Sequence, residues 1–387
     1  MTTNGDSAIP YASLSALRDA HTQLLKSTRK VEGEKAFAEI EAFLRQAKAT
    51  GCLLDSENDR TLSQSLMDYW VTVLYRAKRN PPEATLNEFD PLLAPSLADD
   101  LCPYVGLNSF EEQNNEAFFG RQALIEEMVS IIRENRLLYV VGPSGSGKSS
   151  LVFAGLVPKI KNGALPGSEN WRCFQRMVPG VNPLRSLALT IAAFEARDTE
   201  WVSKQVQELG SNPNHLRDLL SAVDVPTVLI IDQFEELFTL CQDDNLRQVF
   251  VHNLINATRE PAAPCTLILT MRADFETQIV RFPELMSLAE TGQVRVTPLT
   301  AADLHVAIQQ PASRIGLKFE DGIVEELVRD ILGEAAGLPL LQFALLSLWK
   351  TRDRNRITWT AFRKLGSARL ALGRAADEFF SNLIVED

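Results

Sequence analysis

The stretch Val141-Gly142-Pro143-Ser144-Gly145-Ser146-Gly147-Lys148-Ser149-Ser150 decides the fold of this chain. It contains the pattern G-x-x-x-x-G-K-S, with an apolar run at 137–141 before it and apolar residues at 151–154 after it. A buried strand, a glycine-rich turn and a helix in that order surround a phosphate with backbone amides and point the positive end of the helix dipole at it. The sequence therefore predicts a phosphate-binding loop.

Three polar residues at the end of the loop have separate expected roles. Lys148 supplies a mobile cation for the β and γ phosphates of a nucleoside triphosphate. The Ser149 hydroxyl is the expected ligand of a Mg²⁺ ion that bridges the phosphate oxygens. Ser150 completes the motif and begins the helix. We therefore expect a site for a nucleoside triphosphate with Mg²⁺.

A second motif follows the apolar, β-branched run Thr227–Ile231, which is typical of a strand buried on both faces of a parallel sheet. Asp232 comes directly after this run, at the strand end where open α/β sheets bind ligands, so it is the expected second magnesium residue. Glu235 and Glu236 follow within one turn, and at least one is expected to orient an attacking water. The alternative is that both are solvated acids at a helix start.

Arginines near a third predicted strand, 265–270, are candidates for sensing the γ phosphate. Arg272 follows this strand, although it also has the simpler option of pairing with Asp274 or with the acids near Asp232. Arg281 lies further on and is a weaker candidate for an arginine finger that reaches a neighbouring subunit. An ordinary solvated arginine is the favoured interpretation of Arg281.

The rest of the pattern predicts an α/β fold with a parallel, doubly wound sheet, an N-terminal α-helical domain and a C-terminal helical lid. The phosphate-loop core is expected at 102–300, with one more strand at 171–177 and helices at 183–195 and 215–223. The lid is expected at 301–350. Its predicted helices are 303–313, 321–332 and 338–350.

Residues 1–80 are predicted to form a separate helical bundle, joined to the core by a Pro- and Asp-rich linker at 81–101. Ser56 is the expected start of the third helix. The apolar residues assigned to the three helix faces are Leu14, Leu17, Leu24 and Leu25; Phe37, Ile40, Phe43, Leu44 and Ala47; and Leu62, Leu66, Tyr69, Trp70, Val73 and Leu74.

Composition limits the classes of partner. The 387 residues carry a net charge of −11, which argues against extensive contact with nucleic acid. The five cysteines are scattered and never form a Cys-x-x-Cys pair, as expected for reduced thiols of a cytoplasmic protein. The first residues lack a secretory pattern, and no apolar stretch reaches about 18 residues, so we expect neither export nor a membrane partner.

Four blocks resemble the STAND class of P-loop NTPases, and especially its bacterial "novel STAND" branch. The phosphate loop with the following 154–158 segment and the Asp232–Phe238 block are two of them. The lead-in at 102–107 with Phe118-Phe119-Gly120-Arg121, and the Gly-x-Pro block at 337–341, are the others. The resemblance implies that Gly120 and Arg121 lie at the nucleotide and that Pro339 lies near the adenine.

The resemblance also implies a function. Members act as slow ATPase switches: a closed form holds ADP, and exchange for ATP opens it for oligomerisation. Residues 1–80 resemble by position the effector or adaptor module, so we expect an effector partner there and a homo-oligomer on activation. The competing expectation is a motor or assembly ATPase of AAA+ type.

Two departures from the family pattern concern the C-terminal part. Residues 351–387 resemble the start of a winged-helix segment that is truncated, and the four histidines all precede it, so an ADP lock through a histidine there is not expected. Sensor repeats, commonly a WD-repeat propeller, are not seen in the sequence. The chain is therefore expected to be a fragment of a longer signalling protein, to rely on a partner for sensing, or to be a nucleotide-binding remnant.

Overall fold

The computed structural model describes residues 8–28, 34–90, 94–223, 225–259, 265–334 and 337–366. The chain divides into two compact units, which are described separately below. The nucleotide-loop unit consists of Val105–Leu304 and Val328–Phe343; the helical unit consists of Met1–Tyr104, His305–Leu327 and Ala344–Asp387.

The helices of the described residues are α1 Leu14–Thr28, α2 Glu34–Thr50, α3 Glu57–Arg76, α4 Gln122–Glu134, α5 Lys148–Ser150, α6 Val157–Lys161, α7 Pro183–Glu195, α8 Thr199–Ser211, α9 His215–Ser221, α10 Glu236–Thr239, α11 Asp244–Thr258, α12 Glu276–Ile279, α13 Pro283–Thr291, α14 Ala301–Ile315, α15 Ile323–Ile331, α16 Gly337–Lys350 and α17 Trp359–Leu365. The strands are β1 Leu137–Gly142, β2 Arg172–Cys173, β3 Thr227–Ile231, β4 Cys265–Arg272, β5 Gln293–Arg295, β6 Lys318–Phe319 and β7 Arg356–Ile357. Within these described segments, no helix is both long and apolar enough to cross a bilayer.

The nucleotide-loop unit is built on a five-stranded sheet in the order β2-β3-β4-β1-β5, with every pair parallel. Strand β4 lies between β1, which leads into the phosphate loop, and β3, which leads into Asp232. In register, Ile231 of β3 faces Leu269 of β4. The ends of β1, β3 and β4 therefore meet at one edge of the sheet, as parallel pairing requires.

Side chains of the central strands alternate between two buried cores, one on each face of the sheet. Leu229 and Ile231 belong to the core that includes residues of α7, α8, α9, α11 and α13. Val228 and Ile230 belong to the core that includes residues of α4 and the 151–160 segment. Burial on both faces explains why β1 and β3 are continuous apolar runs, and it confirms the predicted doubly wound α/β fold.

The elements predicted from the strongest local patterns have the predicted bounds, whereas those predicted from shorter patterns do not. Strand β3 and helix α7 have the predicted bounds, whereas the strand predicted at 171–177 is reduced to the two residues of β2. The helix after the phosphate loop differs as well, because Leu151–Leu156 forms a π-helical turn between α5 and α6. The predictions omitted the helices α4, α8, α11, α12 and α13 and the strands β5, β6 and β7.

The N-terminal helices form the predicted bundle around a core that includes Leu17, Phe43 and Trp70. Ser56 caps α3 by accepting a hydrogen bond from the Asp59 amide, as predicted. The predicted apolar face of α3 is wrong in two places, because Leu62 and Tyr69 are 36% and 49% exposed. The fully buried positions of α3 instead include Ser63 and Met67. The face is thus rotated relative to the pattern.

Within the helical unit, the bundle contacts the short parallel pair β6–β7. The Asp55 carboxylate accepts from Lys318 Nζ at 2.5 Å and also pairs with Arg356. Lys318 Nζ donates in addition to the carbonyl of Leu53 at 3.0 Å. The predicted domain boundaries remain predictions, and residues 91–93 of the predicted linker and 367–387 of the predicted winged-helix segment lie outside the described residues.

Candidate functional site

The phosphate loop joins β1 to α5 and depends on glycine at two positions. A Cβ on Gly142 would lie 2.8 Å from the Val296 carbonyl oxygen, so the backbone must pass too close for any side chain. Gly147 has φ +86° and precedes α5, a conformation that L side chains rarely adopt. Gly145 also has positive φ, at +71°. These conformations give the compact loop that the sequence predicts.

The Lys148 side chain is buried and folded along the loop. Its Nζ donates to the carbonyls of Gly142 at 3.0 Å and Pro143 at 2.8 Å. Burial lowers the pKa of Lys148, and the nearby carboxylates of Glu235 and Asp232 act in the opposite direction. The ammonium group therefore lies inside the loop with two carboxylates near it.

The strand ends bring Ser149 and Asp232 together beneath the loop. Ser149 Oγ donates to Asp232 Oδ1 at 2.8 Å, and Thr270 Oγ1 of β4 donates to the same oxygen at 2.5 Å. Thr270 Oγ1 also accepts from the amide of Gln233 at 3.0 Å, and Gln233 has an unusual φ of +53°. Two hydroxyls and a strained turn therefore fix one oxygen of the buried carboxylate.

The two glutamates after Asp232 have different surroundings. Glu235 Oε2 accepts from the Arg272 amide at 3.2 Å, and the charge of Glu235 acts to raise the pKa of Lys148 against the effect of burial. Burial raises the pKa of Glu236, against a hydrogen bond from the Gly180 amide. Of the two glutamates, Glu235 is the one whose charge acts on Lys148 and whose carboxylate accepts a hydrogen bond from the end of β4.

Arg272 lies at the end of β4, where it was predicted, but its side chain pairs with Asp274. Nε donates to Oδ1 at 3.0 Å and Nη2 to Oδ2 at 2.6 Å, and the two side chains are 41% and 54% exposed. The hydrogen bond and charge of Asp274 raise the pKa of Arg272. This is the simpler of the two interpretations that the sequence allowed, and the role as a γ-phosphate sensor stays a prediction.

The lead-in segment contacts the phosphate loop at two points. Arg121 is buried, and its Nη2 donates to the Ser146 carbonyl at 3.2 Å. Burial lowers the pKa of Arg121, while Asp303 opposes the shift. Gly120, at φ +86°, donates its amide to Gln122 Oε1 at 3.0 Å. The Arg121 side chain therefore holds the loop through the Ser146 carbonyl, and Gly120 is part of the turn that precedes Arg121.

Ser150 has a further contact beyond its place at the helix start. Its Oγ accepts from the Phe110 amide at 3.1 Å, which ties the segment between the two parts of the lead-in to the motif. The Phe110 ring contacts the Phe118 ring with centroids 5.5 Å apart. Ser144 is exposed at the tip of the loop. Of the predicted lead-in residues, Arg121 contacts the phosphate loop directly, and Phe118 packs on Phe110, which is hydrogen-bonded to Ser150.

The first turn of α16 lies beside the loop within the same unit. Leu338 Cδ1 would be 3.4 Å from a Cβ on Gly147, and the next residue, Pro339, is half-buried. Gln342 Oε1 accepts from the Val105 amide at 3.3 Å, which joins this turn to the lead-in. The Gly-x-Pro block therefore lies near the loop, whereas a contact of Pro339 with adenine stays a prediction.

Two buried oxygens test whether these residues fit a magnesium-bound nucleotide. Asp232 Oδ2 and Ser146 Oγ are buried and have no hydrogen-bond partner among the described residues, although Arg176 Nε lies 3.3 Å from Asp232 Oδ2. One belongs to a carboxylate 1% exposed and the other to the phosphate loop. A hydroxyl beside a carboxylate is the oxygen donor set that Mg²⁺ takes in nucleotide sites. The residues present therefore fit the metal and the phosphates it accompanies.

Two residues at the site were missed in the sequence. Thr270 is the last residue of the predicted strand 265–270, and a hydroxyl ending an apolar run was an available signal. Arg176 lies beyond β2 with its Nε 3.3 Å from Asp232 Oδ2. No local sequence pattern identifies this arginine. Arg176 comes close to Asp232 only because β2 pairs with β3 in the sheet.

The sheet order, the loop after β1 and the acid after β3 define a P-loop NTPase. The family model for Novel STAND NTPase 1 matches residues 103–387, well over half of the chain. The protein therefore belongs to the Novel STAND NTPase 1 family, which confirms the resemblance seen in the sequence. No curated protein sequence matches the chain.

Solved structures resemble the chain only distantly. A Walker-type ATPase of Pyrococcus abyssi has 13% identity and a TM-score of 0.46, covering 72% of this chain and 77% of its own. The ORC2 protein of Aeropyrum pernix, in ADPNP-ADP complexes, has 12% identity and a TM-score of 0.47, with 67% and 68% covered. Cdc6p of Pyrobaculum aerophilum has 13% identity and a TM-score of 0.42, with 67% and 66% covered.

Proposed function

We propose that the protein is an ATP-binding switch that holds ADP in a closed form and exchanges it for ATP when activated. The observation that carries the proposal is the contact between the lid and the loop: Leu338, in the first turn of α16, lies beside Gly147. A lid that covers the phosphates slows release of product, which is the property a switch needs. Membership of the STAND family supports the same assignment.

The chemistry proposed for the site is slow, Mg²⁺-dependent hydrolysis of ATP. Lys148 and the loop amides bind the phosphates, and Ser149 with Asp232 would hold the Mg²⁺, which neutralises charge on the phosphate oxygens. Glu235 is proposed to orient the attacking water, since its carboxylate is hydrogen-bonded to the end of β4 and its charge acts on Lys148. Hydrolysis then resets the switch.

The path of the lid helices supports a link between nucleotide state and the N-terminal bundle. Helix α16 starts in the nucleotide-loop unit and continues from Ala344 in the helical unit. The same helical unit contains the bundle, where Asp55 pairs with Lys318 and Arg356. We propose that a lid movement is transmitted to residues 1–80, which recruit an effector, and that the ATP form assembles as a homo-oligomer in the cytoplasm.

An AAA+-like motor is the second candidate, and one observation favours it. Arg281 is exposed, and the described part of the chain offers its guanidinium no ion-pair partner. An arginine finger must be free in this way to reach a neighbouring subunit. Fast steady-state hydrolysis that Arg281→Ala abolishes would support a motor and contradict a slow switch.

The experiment is to denature the purified protein and chromatograph the nucleotide it releases. We expect near-stoichiometric ADP from the wild type and none from Lys148→Ala. Lys159→Ala is the matched control, because Lys159 is an exposed lysine of α6 that pairs with Glu126. Wild-type protein that stays empty after incubation with Mg-ATP, or equal ADP in Lys148→Ala, would contradict the proposal.

A further inference from the structure

Arg176 is fixed beside Asp232 by the backbone as well as by its side chain. Beyond the end of β2, the chain keeps following β3: the Met177 amide donates to the Ile230 carbonyl at 3.1 Å. The Asp232 amide in turn donates to the Met177 carbonyl at 2.8 Å. Arg176 therefore directly precedes Met177, the residue whose carbonyl accepts a hydrogen bond from the Asp232 amide.

The guanidinium group of Arg176 is held by four contacts, one of which is a hydrogen bond from its Nη2 to Ser109 Oγ at 3.4 Å. Its Nε lies 3.3 Å from Asp232 Oδ2, and its Nη2 donates to Glu111 Oε1 at 2.7 Å. Its central carbon lies 4.3 Å from the centroid of the Phe153 ring, within the range of a cation–π contact. Arg176 thus joins Glu111, the helical segment after the phosphate loop and Asp232.

The charge of Asp232 is not balanced by its hydrogen bonds. Ser149 and Thr270 both donate neutral hydroxyls to Oδ1, and no group in the described part of the chain makes a hydrogen bond to Oδ2. The carboxylate is 1% exposed, so water does not screen it. Among the described residues, Arg176 is the cation within ion-pair distance of this carboxylate.

We propose that Arg176 is a positioning residue that neutralises Asp232 whenever no divalent cation is bound there. An uncompensated carboxylate beneath the loop would repel the phosphates of a nucleotide. With Arg176 in place, the protein binds ADP with little dependence on Mg²⁺. This inference rests on the proposed function, because it concerns the same nucleotide site.

The alternative role for Arg176 is purely structural, through Glu111 and Phe153. A structural role predicts equal loss of affinity with and without Mg²⁺, whereas charge compensation predicts loss only without it. The informative quantity is therefore the ratio of the dissociation constants for ADP in EDTA and in saturating Mg²⁺. Both constants come from one preparation, so the ratio does not depend on the fraction of folded protein.

The experiment measures this ratio with a fluorescent ADP analogue for the wild type and four variants. In Arg176→Gln we expect the affinity in EDTA to fall about tenfold and the affinity in Mg²⁺ to change less than twofold. Arg176→Lys should restore most of the affinity in EDTA. Adding Asp232→Asn to Arg176→Gln should return the ratio to the wild-type value, because the repelling charge is then gone.

Arg172→Gln is the matched control, since Arg172 lies in β2 and pairs with Glu195 away from the loop. Its ratio should equal that of the wild type. An unchanged ratio in Arg176→Gln, or an equal fall in both buffers, would overturn the inference while leaving nucleotide binding established. Wild-type protein that binds no ADP in either buffer would overturn the proposed function and the inference with it.

Discussion

Ser149 Oγ donates a hydrogen bond to Asp232 Oδ1 at 2.8 Å, across 83 residues of sequence. The pairing follows from the sheet, because β1 and β3 both run parallel to β4 and end at the same edge. A hydroxyl and a carboxylate in contact at the start of a helix are suited to hold a hydrated Mg²⁺ beside phosphates.

The first prediction concerns this pair. Asp232→Asn should lower the rate of ATP hydrolysis by at least about 100-fold, because the carboxylate that would hold the Mg²⁺ is lost. ADP binding in EDTA should remain, since Lys148 and the loop amides are unchanged. Hydrolysis within tenfold of the wild type in single-turnover measurements would show that the acid is not part of the metal site.

The second prediction concerns Thr270, which donates to Asp232 and accepts from the Gln233 amide. Thr270→Val keeps the shape but removes both hydrogen bonds from a residue that is 1% exposed. We expect the free energy of unfolding to fall by about 1 to 3 kcal/mol, measured in urea, with reduced hydrolysis. Thr266→Val, at a buried threonine of the same strand, is the control. A larger loss in the control would contradict a special role for Thr270.

Much of this site was predictable because its parts are local patterns. The loop at 142–150 and the acid at 232 each combine a motif with the apolar run of a buried strand. The contact of Thr270 with Asp232 is different, since it depends on which strand lies beside β3. Register between parallel strands is set by packing across the whole sheet, and single-strand patterns do not record it.

For the helices, too, local sequence signals were predictable and features that depend on packing were not. Helix α8 carried a usable signal, because Asp198 caps it by accepting from the Trp201 amide. On α3, by contrast, the number of apolar residues exceeds what the bundle can cover. Packing against α1 and α2 buries Met67 and leaves Tyr69 half exposed, and the sequence pattern alone does not choose between those faces.

The third prediction separates the two glutamates. Glu235→Gln should lower hydrolysis by about 100-fold or more, because Glu235 is linked to both Lys148 and the Arg272 amide. Glu236→Gln should cost less than about tenfold, since Glu236 accepts from Gly180 instead. Single-turnover rates with bound ATP measure both effects directly. The reverse order would assign the water to Glu236.

The fourth prediction concerns the ion pairs of Asp55 with Lys318 and Arg356. Burial alone would raise the pKa of Asp55, but the hydrogen bonds and charges of Lys318 and Arg356 outweigh it and lower the pKa. A carboxyl whose pKa is lowered on folding stabilises the protein above its unfolded pKa, about 3.9, and loses that contribution as the pH falls through the folded value. Asp55→Asn should therefore lower the free energy of unfolding by about 2 kcal/mol at neutral pH.

The pH dependence of this difference is the sharper test. Between pH 8 and pH 5 the difference between wild type and Asp55→Asn should stay constant, because Asp55 is ionised in both the folded and the unfolded chain. It should begin to shrink only below about pH 4, as the unfolded chain takes up the proton first. Asp19→Asn, at an exposed acid of α1, should show no difference at any of these pH values. A difference that already shrinks between pH 7 and pH 6 would mean that another titrating group, and not Asp55, controls the contact between the bundle and the β6–β7 pair.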